Sequence, residues 1–481
     1  MNFKKYILPT LAAAVLGFAA VSCSEDKEPA PPVVPPQEEK PEEPENPDEP
    51  DQPSTPIGDL ARPQSFASDD EMLDFIQKAH LNYMWDGANK NSGLAPERIH
   101  LDQGAAQSDL HIVTTGGSGF GIAGLVVAIE RGFIARAEGV SRLQKIVNFL
   151  GKADRFHGVW PHWIDGNTGK VKPFSTEDNG ADLVESSFLM QGLLIVREYF
   201  KNGNDDEKKL AADIDKLWRE MEFDWFTKSG EKVLYWHWSP DYLWTMNMPI
   251  RGYNECLMAY ILAASSPTHP VSAEVYDQGW ASGGNIRSNM SAYGIPLVVN
   301  HGHGMGGPLF WAHYSWIGLD PRDLRDQYVN YWDVVRNHAL INYQYCVTNP
   351  KGYKGYGPDC WGLTASYSPD GYSAHCPDND KGVITPTAAL SSFPYTPDES
   401  MAALKGFYKK GDWIWGKYGF YDAFSEQENW TLPRYLAIDQ LTIAPMIENH
   451  RTGMLWKLFM GAPEIQQGLK KLGFTSPAIT Q

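Results

Sequence analysis

Residues 177–200 read EDNGADLVESSFLMQGLLIVREYF: an acidic, glycine-broken entry that runs straight into a long apolar segment. The apolar part predicts a helix over 182–200, with Phe188, Leu189 and Leu193 marking a face too hydrophobic for water. Working outward, the same helical reading recurs along the chain. Ser68-Asp69-Asp70-Glu71 is a capping box, followed at helical spacing by Met72, Phe75, Ile76, Ala79 and Tyr83. Further helices are expected over 119–131, 141–152, 206–222, 254–265, 320–345, 397–409 and 444–460. Between them lie long loops rich in Gly, Pro and Trp, with little strand alternation. No fixed period of 20–50 residues repeats, which disfavours a solenoid. The chain therefore predicts an all-α domain, a closed ring of helical hairpins with one face loaded by its loops.

The acidic entry is the sharpest chemical signal. Asp178, Asp182 and Glu185 are spaced i, i+4 and i+7, so a helix starting here would bring them to one face. Carboxylates this close repel, and at least one pKa should rise, as a general acid at neutral pH requires. A solvated helix start would account for Glu177 and Asp178, because acids suit the positive end of the helix dipole. It accounts less well for Glu185, which is followed by apolar helix. A further carboxylate, Glu255, ends RGYNE (251–255) directly before an apolar run.

Aromatic density points the same way. YWHWSPDYLW (235–244) includes Trp236 and Trp238, HGVWPHW (157–163) carries Trp160, His162 and Trp163, and FWAHY (310–314) carries Trp311, His313 and Tyr314. Sugars lay their C–H faces on such rings while polar groups take the hydroxyls. At 12% aromatic residues, with acids and histidines interleaved in loops, these stretches read as a carbohydrate groove. TGGSGFG (115–121) lacks the Lys-Ser/Thr of a phosphate cradle and reads as a tight turn into a helix. HGH (301–303) has no third ligand at a metal spacing and reads as structural, so neither metal nor cofactor is expected. No nucleophile elbow is present.

The N-terminus carries an address. Lys4 and Lys5 precede fifteen residues (7–21) that are apolar except for Thr10, the length of a signal-peptide core rather than a membrane span. Ala20-Val21-Ser22-Cys23 resembles a bacterial lipobox, implying a signal peptide over 1–22 and acylation of Cys23. CSED (23–26) resembles the acidic surface-export signal of Bacteroidetes lipoproteins, which implies an outer-membrane anchor with the domain facing outside the cell. From 24 to 56, eleven prolines and eleven acids against two lysines give −9, half of the chain's −18. Such a segment cannot bury enough surface to order itself and reads as an extended tether over 23–57. The single domain then spans 58–481. It too is acidic, which argues against nucleic acid as a partner. Of the remaining cysteines, Cys360 and Cys376 fall in a loop-like region where a bridge is conceivable in an oxidising compartment.

The segments HGVWPHWIDGNTG (157–169), EDNGADLVESSFLMQGLL (177–194), WHWSPDYLW (236–244), IRGYNE (250–255), GGPLFWAHYSWIGLDPR (306–322), GVITPTAALSSFPYTPDESMAALKGFY (382–408) and IAPMIENHRTGMLW (443–456) occur in this order. Together they resemble the glucoamylase-like lipoproteins of Bacteroidetes, glycoside hydrolase family 144, the bacterial endo-β-1,2-glucanases. The resemblance runs from about Ser68 to near the C-terminus. It implies an (α/α)6 toroid and hydrolysis of β-1,2-glucan with inversion, by a monomeric domain. It places Asp178, Asp182, Glu185 and Glu255 in the acidic site and His162 at a sugar. Glu255 is the expected general acid. The base is either the Asp178/Asp182 pair or Asp439, acting on water directly or through a relay. Two rivals remain at this stage. A polysaccharide lyase needs a Tyr or His base and a cation for a uronate, which the acidic cluster does not favour. A surface glycan-binding protein has no use for four converging carboxylates.

Overall fold

The computed structural model describes residues 55–480. The signal peptide, acylated Cys23 and most of the tether expected from the sequence lie outside them. Fourteen helices follow in order: α1 (Asp69–Trp85), α2 (Thr115–Glu130), α3 (Arg136–Lys152), α4 (Leu183–Phe200), α5 (Asp205–Arg219), α6 (Leu257–Ser265), the single turn α7 (Ala273–Val275), α8 (Tyr331–Thr348), α9 (Pro386–Leu390), α10 (Pro397–Lys409), α11 (Ala437–Gln440), α12 (Ile443–Arg451), α13 (Met454–Met460) and α14 (Pro463–Lys471). The strands between them are short and pair in two- or three-stranded ribbons, some joining segments far apart in the chain.

Hydrophobic pattern sorts the helices into two layers. Helices α2, α4 and α6 are buried almost all round and pack side by side. Helices α3, α5, α10 and α14 bury one stripe and present a charged face to solvent. Along the chain, α2, α4 and α6 each follow or precede such an outer helix, and the result is the (α/α)6 toroid that the motifs imply. The inner ring closes tightly because small residues line it. A Cβ on Gly119 would lie 2.2 Å from the Phe188 carbonyl oxygen, and one on Gly192 would lie 2.0 Å from that of Gly119, so α2 and α4 touch backbone to backbone.

Several sequence boundaries move for identifiable reasons. TGGSGFG is the first two turns of α2, not a turn leading into it, because its glycines admit α4. The helix expected over 320–345 begins only at Tyr331, where Asn330 caps the backbone N–H of Trp332 and the segment around Pro321 remains a loop. The one expected over 444–460 breaks at Gly453, whose φ of 65° ends α12 and starts α13. Cys360 and Cys376 are free, as are Cys256 and Cys346. Among the described residues, no helix is long and apolar enough to cross a membrane.

Candidate active site

The N-terminal ends of α4, α6 and α11 each bring a carboxyl to one cluster. Asp182 is the N-cap of α4. Its Oδ1 accepts the backbone N–H groups of Val184 (3.0 Å) and Glu185 (2.9 Å) together with the Trp236 indole N–H (2.9 Å). Its Oδ2 accepts from His162 Nδ1 at 2.9 Å. Burial works against this carboxylate, yet the His162 hydrogen bond and the nearby His237 and His162 charges hold its pKa below the ordinary value. His162 responds in the opposite sense. Burial disfavours its charge, but Glu185, Asp182 and Glu97 outweigh that and raise it to about 10.

This geometry corrects the helical-face reading of the acidic entry. Gly180 interrupts the segment, and Ala181–Asp182 pair as a short strand with His237–Trp238 before α4 begins at Leu183. Asp178 therefore sits in a loop, not one turn upstream on the helix. It still converges on Asp182, because His237 Nδ1 lies 3.5 Å from Asp178 Oδ1 and 3.9 Å from Asp182 Oδ2. His162, Asp178 and Asp182 offer atoms all within 4.8 Å of one another, close enough to hold a cation; the positive charge among them is supplied by the His162 imidazolium. Glu185, in the first turn of α4, accepts the Gly116 N–H of α2 at 2.8 Å. Burial, with the charges of Asp182 and Glu97 set against that of His162, pushes its pKa to about 8.

Glu255 immediately precedes α6. Its carbonyl accepts from Ser315 Oγ, and Asn254 Oδ1 accepts the Cys256 N–H at 2.9 Å, which fixes the approach to the helix. Burial, helped by the Asp182 charge, lifts its pKa to about 7, the range a general acid needs. Asp439, on α11, receives the Tyr314 hydroxyl at 3.4 Å. Burial and Asp422 drive its pKa well above the carboxylate range. Tyr314 in turn feels the charges of Asp439, Glu185 and Glu255, so it lies among all three.

The aromatic candidates divide. His162 and Trp163 are half-buried and form a ring cluster with the exposed Phe174, at 4.4 and 4.8 Å between centroids. Trp236 holds Asp182. Tyr314 is a buried floor residue that acts through its hydroxyl. Trp311 stands half-buried against His301 and Tyr253, and Trp238 packs on His157 and Trp225. Two expected sugar contacts are corrected. Trp160 has no exposed surface and donates its indole N–H to the Leu150 carbonyl, a core residue between α3 and α4. His313 is equally enclosed, pairs with Ser392 Oγ at 3.0 Å, and is kept neutral by burial, which lowers its pKa to about 3. Both stand in motifs where buried and site-facing rings alternate, and composition does not separate the two.

Four site residues carried no sequence signal of their own. Glu97 lies near enough to raise His162, Glu185 and Asp439, and its carbonyl accepts the Ala437 N–H, tying it to α11. Asp422 abuts Asp439, Tyr372 reaches the same charges from an exposed hairpin, and Phe174 covers His162. Only His237, inside the aromatic YWHWSP stretch, stood where a reader was already looking.

The chain as a whole is similar to several known proteins. The Glycoamylase family model matches residues 247–463. An endo-beta-1,2-glucanase from Chitinophaga pinensis, solved with sophorotriose and glucose, is 58% identical with a TM-score of 0.84, covering 86% of this chain and all of that one. A beta-1,2-glucanase from Parabacteroides distasonis is 45% identical with a TM-score of 0.80, over 85% of this chain and 60% of that one. An exo beta-1,2-glucooligosaccharide sophorohydrolase (non-reducing end) of the same organism is 46% identical over 427 residues, 84% of this chain. The chain spans only 58% of that curated relative's length. With its motifs in order, its toroid in place and 58% identity across the 86% of the chain that aligns with a relative matched from end to end, the chain belongs to the glucoamylase-like family.

Proposed function

We propose that the domain is a glycoside hydrolase that cleaves β-1,2-glucan, acting within chains and inverting the anomeric carbon. The observation that carries this is Glu255, a carboxyl whose pKa burial lifts to about 7, grouped with Tyr314, Asp439 and the ionised Asp182. In this reading Glu255 protonates the glycosidic oxygen as the bond to the anomeric carbon breaks. Water attacks from the other face and loses its proton towards Asp439. The Asp182 carboxylate already accepts four N–H groups, which suits it to anchoring His162 and Trp236 rather than to activating water. His162, Trp163 and Phe174 form the wall on which a neutral pyranose would rest.

The substrate class is supported by the three relatives described above, each named for β-1,2-linked glucans or their oligosaccharides. The endo mode is supported by the end-to-end match to the Chitinophaga pinensis enzyme, against the partial match to the sophorohydrolase. We further infer a monomer carried at the cell surface by lipid on Cys23 and held off the outer membrane by the acidic, proline-rich segment. The test is incubation with β-1,2-glucan, with β-1,3- and β-1,4-glucans in parallel, following products by chromatography. A spread of short β-1,2-oligomers supports the proposal. Sophorose alone would replace endo with exo action, and no release from the β-1,2-polymer would overturn the substrate.

A further inference from the structure

Behind Asp439 lies a second buried carboxyl with no place in the mechanism so far. Asp422 is 5% exposed and Asp439 3%. The chain brings them together because the Asp422 N–H bonds the Arg434 carbonyl (2.9 Å), at the start of the strand Arg434–Leu436 that leads into α11. The two carboxyls are within hydrogen-bonding reach of each other. Their remaining oxygens are assigned. Asp439 Oδ1 takes the Tyr314 hydroxyl on the pocket side, and Asp422 Oδ2 takes the Tyr367 N–H at 2.8 Å on the far side. Asp439 Oδ2 and Asp422 Oδ1 are buried and receive no donor from any other residue. Two acceptors cannot face each other in a dry interior, so a proton must lie between them.

We propose that Asp422 is a positioning residue that takes up the proton of Asp439 while Asp439 takes one from the attacking water, the two carboxyls working as a relay. This rests on the hydrolytic reading of the site. The balance is as follows. In the resting pair Asp439 carries the proton and Asp422 the negative charge. One water O–H proton passes to Asp439 Oδ1 as the Asp439 Oδ2 proton passes to Asp422 Oδ1. The water oxygen bonds the anomeric carbon, and the departing oxygen takes the proton of Glu255. The pair ends neutral and Glu255 ends ionised, and exchange of one proton through solvent restores both. The resting assignment follows from the surroundings. The Tyr367 N–H favours charge on Asp422, whereas the charges of Asp422 and Glu97 favour the proton on Asp439 and outweigh the Tyr314 hydroxyl, which favours its ionised form. Tyr372 also faces Asp422, and among the described residues no cationic group lies against either carboxyl. Burial accordingly raises Asp422 to about 7 and Asp439 well above the ordinary carboxylate value.

The test is Asp422→Asn against the parent, in pH–rate profiles on β-1,2-glucan, with an infrared pH titration of the protonated-carboxyl band on both proteins. Loss of about 100-fold or more in kcat with KM within a few-fold, and disappearance of the acid limb near pH 7, is expected. The infrared titration near pH 7 assigned to the pair should vanish as well. Parental kcat with an unmoved acid limb would overturn the relay, as would an unchanged infrared titration. If Asp422→Asn does not fold, Asp439→Ala serves: without the proton that Asp439 donates, the Asp422 titration must move to higher pH, and an unmoved one overturns the pairing. Failure of the parent to cleave β-1,2-glucan would sink the hydrolase reading separately, since the infrared titration needs no turnover.

Discussion

His162 and Asp182 form an ion pair at 2.9 Å in which the carboxylate has no exposed surface and also caps the helix that carries Glu185. One residue thus sets both the start of an inner helix and the charge of the sugar-facing wall. Asp182→Ala should cost about 2–4 kcal/mol, because it removes the charge-assisted hydrogen bond to the half-buried His162 and a cap worth about 1 kcal/mol by itself. Urea melts at neutral pH check this, and a loss below about 1 kcal/mol would mean that the pair is incidental.

The same pair makes stability depend on pH in a definite direction. His162 is raised in the fold, so its contribution is complete below its ordinary value of 6.5 and is lost as pH climbs through about 10. Asp182 is lowered, so its part is present above 3.8 and fades only as pH falls through the depressed value. The stability difference between the parent and His162→Gln should therefore be greatest near pH 6 and small by pH 10. A difference that grows towards pH 10 would reverse the assignment.

Trp160 and Trp163 are three positions apart and should behave oppositely. Trp160→Ala empties a fully buried site and should destabilise by about 3–5 kcal/mol. Trp163→Ala should leave the melting transition nearly in place and raise KM several-fold. Activity that survives Trp160→Ala with a raised KM, or unfolding on Trp163→Ala, would exchange the two roles.

Gly119→Ala tests the inner ring. Its methyl would meet the Phe188 carbonyl oxygen at 2.2 Å and the Leu189 Cα at 2.5 Å, backbone that cannot step aside. A loss of about 1–3 kcal/mol is expected, accompanied by reduced activity, because Glu185 and Gly116 sit on the two helices forced apart. A neutral substitution would show that α2 and α4 can separate freely.

How much of this was readable beforehand follows from the physics of each signal. Buried helices announce themselves by unbroken apolar runs, so α4 and α6 were visible to within three residues. Convergence of Asp178, Asp182 and Glu185 was legible, but its cause was not: the residues read as one helical face are a loop acid, a cap and a first-turn acid. Alternation of core and site rings within one motif hid the burial of Trp160 and His313. Glu97 was illegible because only a chain crossing far away in sequence brings it to Asp439, and Asp422 because its approach depends on the backbone bond to Arg434. A carboxylate's role there depends on the neighbour, which no local pattern encodes.

The most direct measurement follows the anomeric signals by NMR during early cleavage of β-1,2-glucan by the parent and by Glu255→Gln. The account predicts that the parent releases the α-anomer first and that the variant releases neither, with its fold unchanged. Initial appearance of the β-anomer, or undiminished release by Glu255→Gln, would contradict it.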